Sequence, residues 1–534
     1  MRPIVAMILC LFAPLLVTSA TAALPAAPAT TAPPAPVERI DDVAATERSV
    51  VRVVTIAVVG GQVVGFGHGS GFAIAPNRIV TNAHVVENAE EYPQNVIIGI
   101  IPSEGTRGYR GRLLALDRQR DLALIELTDG GRLPPATLYS GAVQQRSLVY
   151  ALGYPGNVDL ATARNMEDFI RPRSPVASDG IVSSSDSVNG VDALVHDADI
   201  ARGNSGGPLV DACGRVLGVN SFISRADDGD SPFSFAVSVR EISAFLREAG
   251  QSFTAIAQGC VTAEQAAARD AASASDAARQ RSAAEAAAAA QRQASAERLQ
   301  QLRHAAERSR DNVMALAIAL FGAAILAGAM AILYQSQQRA RHQRIAMIAA
   351  GALALVSLIA FLLRPDPWAV RLEPSAADAV AAPAAPVPPR FGSLSCRVRA
   401  DAGRITVSTN EDLAMTITPS GCVNGRTQYV AAGGNLWSRT LVPEMDATVT
   451  QIQYDAGNGR YVARRFLLPL EAMDAVRRQR QATATPACTS DPAALEALSR
   501  RETAIAQLLP RQPNEEIVRD CVAVATPAAP SPRE

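Results

Sequence analysis

The first half of the chain alternates short apolar runs with Gly, Asn and Asp. Between residues 40 and 258, runs such as VVRVVTIAVV, NVIIGII and SLVYALG are each bounded by turn-forming residues. Short runs of this kind, with almost no helical periodicity, are typical of an all-β barrel or sandwich. The end of the segment, VREISAFLREAG, instead has apolar residues at helical spacing and a terminal Gly. The pattern predicts an all-β domain that closes with a helix.

An alanine-rich stretch and two long apolar runs follow. Residues 259–311 are rich in good helix formers but nearly lack large apolar residues, which predicts a solvated helical linker. The alternative is a coiled coil, in which alanine would have to fill the a and d positions between the helices. The runs at 312–334 and 345–363 each match the roughly 20 residues that cross a bilayer. A buried helical hairpin in a soluble domain is the alternative. The loop 335–344 carries three arginines and no acid, which predicts a cytoplasmic loop.

Both ends of the chain have their own patterns. Residues 1–22 combine a basic start, an apolar run and small residues at a cleavage-like site, which predicts a signal peptide, with an uncleaved anchor as the alternative. Residues 23–39 and 364–390 are Pro/Ala linkers. Residues 391–534 contain short alternating runs, which predict a small β-sandwich-like domain, followed by a helical tail that opens at Asp491-Pro492.

Composition narrows the possible partners and the compartment. A chain of 534 residues is too long for one core, and a net charge of −1 without a basic domain argues against nucleic acid. No CxxC pair supports zinc, and an even number of cysteines in an exported chain predicts disulfides. Beyond Cys10 in the signal peptide, the candidates are Cys213, Cys260, Cys396, Cys422, Cys488 and Cys521. The first two are the only possible pair in the first half, whereas the last four allow three connectivities.

The segment ARGNSGGPLV has the features that a serine nucleophile needs. Glycines on both sides of Ser205 permit a tight turn that exposes the hydroxyl. We place an oxyanion hole at Gly203, Asn204 and Ser205, with the N–H groups of Gly203 and Ser205 as donors. The alternative is an ordinary Gly/Ser turn.

Two further segments supply partners for Ser205. His84 in IVTNAHVV follows a predicted strand, whereas His68 lies in a glycine-rich turn and His196 is too close to Ser205 in sequence. Asp121 in RDLALIEL opens an apolar strand, where its carboxylate can orient a histidine. A structural histidine and a strand-start aspartate are the alternatives. Taken together, the three segments predict a Ser205–His84–Asp121 triad.

These segments strongly resemble the trypsin-like fold and, within it, the HtrA/Deg-type bacterial proteases. TNAHVV, DLALIEL and RGNSGGPLV look like that subgroup's catalytic blocks in the order His, Asp, Ser, and GSGF (69–72), GIVS (180–183) and FAV (235–237) resemble its flanking strands. The resemblance covers about residues 48–247 and implies two six-stranded β-barrels with the triad between them. HtrA-type proteins usually carry a PDZ domain, which this sequence replaces with the helix and the apolar runs. The resemblance also implies that the long polar segment 157–179 controls whether the site is formed.

The same resemblance suggests residues for substrate choice. Asp199 lies six residues before Ser205, where the fold implies the base of the S1 pocket and a pairing with Arg or Lys at P1. The HtrA-type resemblance instead favours small aliphatic P1 residues, with Asp199 pointing to solvent or pairing with Arg202. The further candidates for substrate binding are Asn220, Ser221 and Phe222.

The sequence therefore predicts a trypsin-like serine protease domain at 40–258, anchored in a bacterial inner membrane. The protease and the C-terminal domain would both lie in the periplasm. The expected substrates are proteins or peptides, no cofactor is needed, and envelope quality control or regulated proteolysis is the expected setting. The rival hypothesis is a non-catalytic sensor or scaffold, although pseudoproteases usually lose a triad member. The oligomeric state stays open.

Overall fold

The computed structural model describes residues 41–162, 164–224, 232–364, 366, 368, 388–409, 411–482 and 487–524. The predicted signal peptide, Cys10, the first Pro/Ala linker and most of the second lie outside these residues. Within them, the predicted all-β region, the helical linker, the two apolar helices and the β-rich C-terminal region are all confirmed.

The first six strands form a closed barrel in the order β1-β2-β3-β6-β5-β4. Two helices accompany it. The sequence pattern did not predict the first, a single turn and a half whose N-terminal amides are capped by the Asp41 carboxylate. The elements are α1 (Asp42–Glu47), β1 (Val50–Val59), β2 (Gln62–Ala75), β3 (Arg78–Thr81), α2 (Ala83–Glu91), β4 (Val96–Pro102), β5 (Tyr109–Asp117) and β6 (Leu122–Leu127).

Six of the next eight strands close a second barrel. Strand β12 pairs with both β11 and β13, which closes the ring β11-β8-β9-β10-β13-β12, while β7 and β14 extend the sheet beyond β12. The predicted pair of six-stranded barrels and the predicted closing helix, α4, are confirmed. The elements are β7 (Leu138–Tyr139), β8 (Leu148–Gly153), α3 (Gly156–Thr162), a 3₁₀ helix (Met166–Phe169), β9 (Val176–Val188), β10 (Val191–His196), β11 (Pro208–Asp211), β12 (Val216–Ile223), β13 (Ser234–Ser238), α4 (Val239–Glu248) and β14 (Ala255–Ile256).

One apolar cluster joins the two barrels. Phe72 and Leu122 of the first barrel lie in the same buried cluster as Leu152 and Val219 of the second, while separate clusters fill each barrel. Removing this shared surface from water favours one relative placement of the barrels. Loops from both barrels therefore meet at a junction where the packing of the barrels fixes their relative positions.

The helical linker and the first apolar run form one helix, α5 (Ala263–Ser336). Its start is a capping box between Thr262 and Gln265, and no proline interrupts it, so the solvated and apolar parts continue without a break. The second apolar run forms α6 (Ala340–Leu362), and the Ser357 hydroxyl donates to the Ala317 carbonyl of α5 at 2.7 Å. Both helices are long and apolar enough to cross a membrane.

The C-terminal domain is built on one nine-stranded sheet in the order β18-β17-β16-β15-β23-β22-β21-β20-β19. The helix predicted from Asp491-Pro492 is present as α8, but the chain then returns as β23 between β15 and β22, which the expected helical tail did not include. The elements are β15 (Gly392–Arg404), β16 (Leu413–Ile417), β17 (Cys422–Val423), β18 (Thr427–Gln428), β19 (Val430–Ala431), β20 (Leu436–Leu441), β21 (Thr448–Asp455), β22 (Arg460–Leu467), α7 (Leu470–Gln481), α8 (Pro492–Ala506) and β23 (Glu515–Ala523).

All six candidate cysteines form disulfides. Cys213 pairs with Cys260 in the first half of the chain, as the count predicted. In the C-terminal domain the sheet selects one of the three open connectivities, because β15 and β23 are neighbours and place their cysteines opposite each other. The two C-terminal bonds are Cys396–Cys521 and Cys422–Cys488.

The C-terminal domain packs against the barrels through buried polar contacts. Arg404 forms an ion pair with Asp42 of α1, and both side chains are almost fully buried. The Arg404 Nε also donates to the Val261 carbonyl at 2.8 Å. At the far end of the interface, the Leu470 N–H donates to the Glu104 carboxylate at 2.8 Å. Polar contacts therefore join the two domains, and the Arg404–Asp42 ion pair among them is buried.

Candidate active site

His84 and Asp121 meet at the edge of the first barrel. Strands β3 and β6 are paired so that Thr81 lies opposite Ala123, which places the first turn of α2 beside the start of β6. The His84 Nδ1 lies 2.9 Å from Asp121 Oδ1 and 3.0 Å from Oδ2. The backbone N–H of His84 also donates to Oδ1, at 3.1 Å. The carboxylate thus fixes both the position and the tautomer of the ring.

Asp121 adopts a backbone conformation that few residues tolerate. Its φ is +53°, in the left-handed region, and the Asn82 side chain donates to its carbonyl at 2.8 Å. Its second carboxylate oxygen accepts a 2.5 Å hydrogen bond from the Ser221 hydroxyl. The turn and these two donors together aim the carboxylate at the histidine.

The charge balance at His84 favours the imidazolium. The hydrogen bond with Asp121 raises the pKa of His84, and partial burial offsets some of this effect. A histidine whose cation is stabilised in this way accepts a proton readily, which is the property that a general base requires.

Ser205 lies in a tight turn held by both barrels. Its carbonyl accepts the Ser70 N–H of β2 at 2.8 Å, and the next N–H, of Gly206, donates to the Asn220 carbonyl of β12 at 2.8 Å. Gly203 and Gly206 have φ of +102° and +88°, so the turn requires glycine at both positions. The Ser205 hydroxyl donates to the Ser221 carbonyl at 2.9 Å. In the described part of the chain the Ser205 hydroxyl shares no hydrogen bond with His84.

Two N–H groups in this turn have no protein acceptor among the described residues: those of Gly203 and Ser205. Asn204 belongs to the predicted oxyanion hole, but its N–H donates to the Ala201 carbonyl at 3.0 Å and is not available. The Gly203 carbonyl is held by the Ser70 hydroxyl at 2.6 Å. The turn therefore holds two donors close to the serine in sequence, which are the groups that an oxyanion hole would require.

The candidate substrate-binding residues take different positions. Asp199 is exposed and forms no ion pair with Arg202 or another described residue. Asn220 is fully buried, with its side-chain oxygen 3.1 Å from His196 Nε2. Burial lowers the pKa of His196 to about 4. Phe222 is exposed and stacks on Phe235 at 4.6 Å, so of these residues it offers the largest apolar surface near Ser205.

Sequence reasoning missed or misplaced several residues around the site. Ser221 was a candidate for substrate binding, but its hydroxyl binds Asp121 and its carbonyl binds Ser205. Ser70 was noticed only as part of the GSGF motif, although its hydroxyl and N–H both support the nucleophile turn. His68 does not lie in a turn: it is paired with Val54 within β2. No local signal in the sequence distinguishes these serines from others, because their partners come from other strands.

Residues 69–219 match the family model for the trypsin-like peptidase domain. This region is a trypsin-like peptidase domain. Serine protease Rv3671c of Mycobacterium tuberculosis is 32% identical over 223 residues, which cover 41% of this chain and 51% of that protein. The magnetosome formation protease MamE of Magnetospirillum gryphiswaldense is 33% identical over 183 residues, which cover 34% of this chain and 22% of that protein. The crystal structure of the active form of the Rv3671c protease aligns with 41% of this chain and 89% of its own, at 24% identity and a TM-score of 0.31.

The matches to these relatives cover between about a third and about two fifths of the chain. The chain spans about half the length of Rv3671c and less of MamE. Rv3671c is named a serine protease and MamE a protease, so the similarity supports peptidase function for this domain. The HtrA-like character predicted from the three sequence blocks is confirmed, because HtrA and Do-like proteases also match this region.

Proposed function

We propose that the chain is a serine endopeptidase in which Ser205 is the nucleophile, His84 the general base and Asp121 the residue that orients the histidine. The observation that carries the proposal is a carboxylate bound to His84 Nδ1, combined with the N–H groups of Gly203 and Ser205, which have no acceptor in the part of the chain that the structure describes. A carboxylate–imidazole pair alone is common in structural networks. The pair together with a half-buried serine, whose turn holds two N–H groups without an acceptor among the described residues, is what acyl transfer needs.

The reaction would proceed through an acyl-enzyme. The Ser205 hydroxyl leaves the Ser221 carbonyl, passes its proton to His84 Nε2, and its oxygen attacks the carbonyl carbon of the peptide. The carbonyl oxygen becomes negative and is stabilised by the N–H groups of Gly203 and Ser205. His84 then gives the proton to the departing amine. A water molecule, deprotonated by His84, attacks the ester carbon of the acyl-enzyme. The resulting tetrahedral intermediate collapses, the bond to Ser205 breaks, His84 returns the proton to the Ser205 oxygen, and the carboxylic acid product leaves.

We further propose the predicted arrangement in a membrane: protease and C-terminal domain on the periplasmic side of a bacterial inner membrane, with residues 335–344 in the cytoplasm. Two apolar helices in succession return the chain to its starting side, and the disulfides in both halves indicate that both halves meet an oxidising compartment. The packing of the C-terminal domain on the barrels also requires both to lie on one side. A C-terminal domain shielded from added protease in spheroplasts, with the barrels digested, would contradict this arrangement.

A serine-reactive peptidyl phosphonate tests the catalytic proposal. We expect labelling of the full-length wild type, and loss of labelling and of casein hydrolysis in Ser205→Ala, with His84→Ala lowering both. Thermal unfolding of each variant serves as the folding control. If the wild type is not labelled, or if Ser205→Ala retains activity, the nucleophile is misassigned. A folded but unreactive wild type would favour the rival hypothesis, a sensor or scaffold that binds proteins through its β domains.

A further inference from the structure

A buried cation connects the first barrel to segment 154–175 of the second. Arg52 of β1 is 1% exposed at its side chain, and its Nη2 donates to Asp159 Oδ1 at 2.7 Å. Its Nη1 donates to the Phe169 carbonyl at 2.9 Å. The guanidinium also lies over the rings of Tyr154 and Phe169, at 4.8 and 5.7 Å from their centres. One side chain from the first barrel thus holds three points of this segment.

The partner of Arg52 is equally buried. Asp159, in the middle of α3, is 3% exposed at its side chain, and its oxygens lie 3.4 Å from Arg173 Nη1 and 3.4 Å from His68 Nε2. Burial lowers the pKa of His68, so the histidine is neutral near pH 7 and adds no full positive charge. A carboxylate this deeply buried is stable only beside a cation. The position of α3 therefore depends on the Arg52–Asp159 pair.

The first residue of the same helix holds the oxyanion turn. The Gly156 N–H donates to the Arg202 carbonyl at 2.7 Å. In a trans peptide the C=O and N–H point in opposite directions, so a carbonyl fixed on Gly156 turns the Gly203 N–H of the same peptide the other way. The Gly203 N–H and the Ser205 N–H both have no acceptor among the described residues. Asp159 lies about one helical turn after Gly156, so the ion pair and this hydrogen bond are made by neighbouring positions on the same face of α3.

We propose that Arg52 and Asp159 are positioning residues of the oxyanion hole. Their ion pair fixes the start of α3, and the Gly156 N–H then holds the Arg202–Gly203 peptide with its N–H towards the substrate. Neither side chain touches the substrate, since both act through Gly156. This inference rests on the proposed function, because it concerns how that site is kept in a competent form.

Asp159→Asn in the full-length protein tests the ion pair, because the side chain keeps its shape and loses its charge. An oxyanion-hole donor is worth roughly 10²–10³ in kcat, so a misplaced donor should lower kcat about 10- to 100-fold. We expect the affinity for a peptidyl aldehyde, whose adduct places an oxyanion in the hole, to fall by a similar factor. KM and the acid limb of the pH profile, which reports His84, should not move. Asp192→Asn is the matched control, since Asp192 forms an exposed ion pair with Arg240 and should leave every parameter unchanged.

Variants at Gly156 and Arg52 keep the test decisive if Asp159→Asn does not fold. Gly156→Pro removes the N–H that binds Arg202 while leaving the ion pair in place; proline is tolerated at the first position of a helix. Gly156→Ala keeps that N–H and serves as its reference for added bulk. Arg52→Lys, which retains a cation, should recover part of the kcat lost in Arg52→Gln.

The outcomes separate this inference from the proposed function. Wild-type kcat and aldehyde affinity in folded Asp159→Asn or Gly156→Pro would overturn the positioning role. The positioning role would also be overturned if only KM changed. It would be overturned as well if a fall in kcat came with a shift of the acid limb of the pH profile, because either result would show general damage to the site. A wild type that neither hydrolyses substrate nor binds the aldehyde would overturn the proposed function, and this inference with it.

Discussion

Replacing Asp121 with Asn is the sharpest test of how the site works. The substitution keeps the shape of the side chain, and asparagine tolerates the left-handed backbone found at φ +53°. The hydrogen bond from the Asn82 side chain to the Asp121 backbone carbonyl should therefore survive, and so should the turn before β6. What is lost is the negative charge that faces His84 Nδ1 at 2.9 and 3.0 Å. The variant thus removes the charge, and it also replaces one of the two acceptor oxygens, which bind the His84 N–H and the Ser221 hydroxyl, with an amide donor.

The expected magnitude follows from these contacts. Without a carboxylate, His84 loses the hydrogen bond that raises its pKa, and the amide N–H₂ favours the tautomer with the proton on the wrong nitrogen. Other Ser-His-Asp enzymes lose about 10⁴ in kcat from this change. At 1.36 kcal/mol for each tenfold change, that is roughly 5.4 kcal/mol of transition-state stabilisation.

The pH dependence provides an independent readout. Because the folded-state pKa of His84 is raised, the active neutral form is lost on acidification at a higher pH than for an ordinary histidine. Asp121→Asn should move this acid limb to lower pH. By linkage, the His84–Asp121 pair stabilises the wild type fully below about pH 6.5, and this contribution is lost as the pH rises through the raised pKa. The variant should lack that slope in thermal stability.

The assay is a pH series of kcat/KM on a fluorogenic peptide, with thermal unfolding measured at each pH. Ser205→Ala sets the background, and Asp192→Asn controls for the loss of one surface charge. If Asp121→Asn keeps more than a tenth of the wild-type rate, or if its acid limb does not move, Asp121 does not orient and charge the histidine as proposed.

Three other predictions follow from the contacts outside the triad. Arg404→Ala removes the cation from buried Asp42 and should destabilise the junction between the barrels and the C-terminal domain by about 3–5 kcal/mol, measured by urea unfolding; an unchanged midpoint would show that the ion pair contributes nothing. Reducing or mutating the Cys213–Cys260 bond, which closes a loop of 47 residues, should cost roughly 4 kcal/mol in the same assay, and a cost near zero would contradict the loop-entropy argument. Asp199→Ala should leave the P1 profile of a fluorogenic peptide library unchanged because the side chain is exposed, and loss of an Arg preference would place Asp199 in the pocket after all.

Local pattern in the sequence predicted much of the architecture. Short apolar runs bounded by turn residues report strands, and long uncharged runs report helices of membrane length, because both signals depend only on neighbouring residues. The three blocks around His84, Asp121 and Ser205 were recognisable for the same reason. Each is a short segment whose residue types suit one local task. The helix from Asp491-Pro492 is a further case, since a cap and a proline at its first position act within one turn.

Other features depended on residues that lie far apart in the chain. Ser221 binds Asp121 across 100 positions and Arg52 binds Asp159 across 107, so neither pair leaves a local trace in the sequence. The final strand enters the middle of the C-terminal sheet, where the tail was expected to be helical, because both neighbouring strands offer unpaired edges there.

The sequence by itself determined the kinds of residue available to the site: a serine between glycines, a histidine after a strand and an aspartate before one. Only the tertiary structure decided which atoms are free to act. The Asn204 N–H donates to the Ala201 carbonyl and is not available to the predicted oxyanion hole, whereas the Gly203 N–H has no acceptor among the described residues. The physical reason is that a hydrogen bond is directional and excludes other partners, so the remaining donors are known only once every competing acceptor has its place.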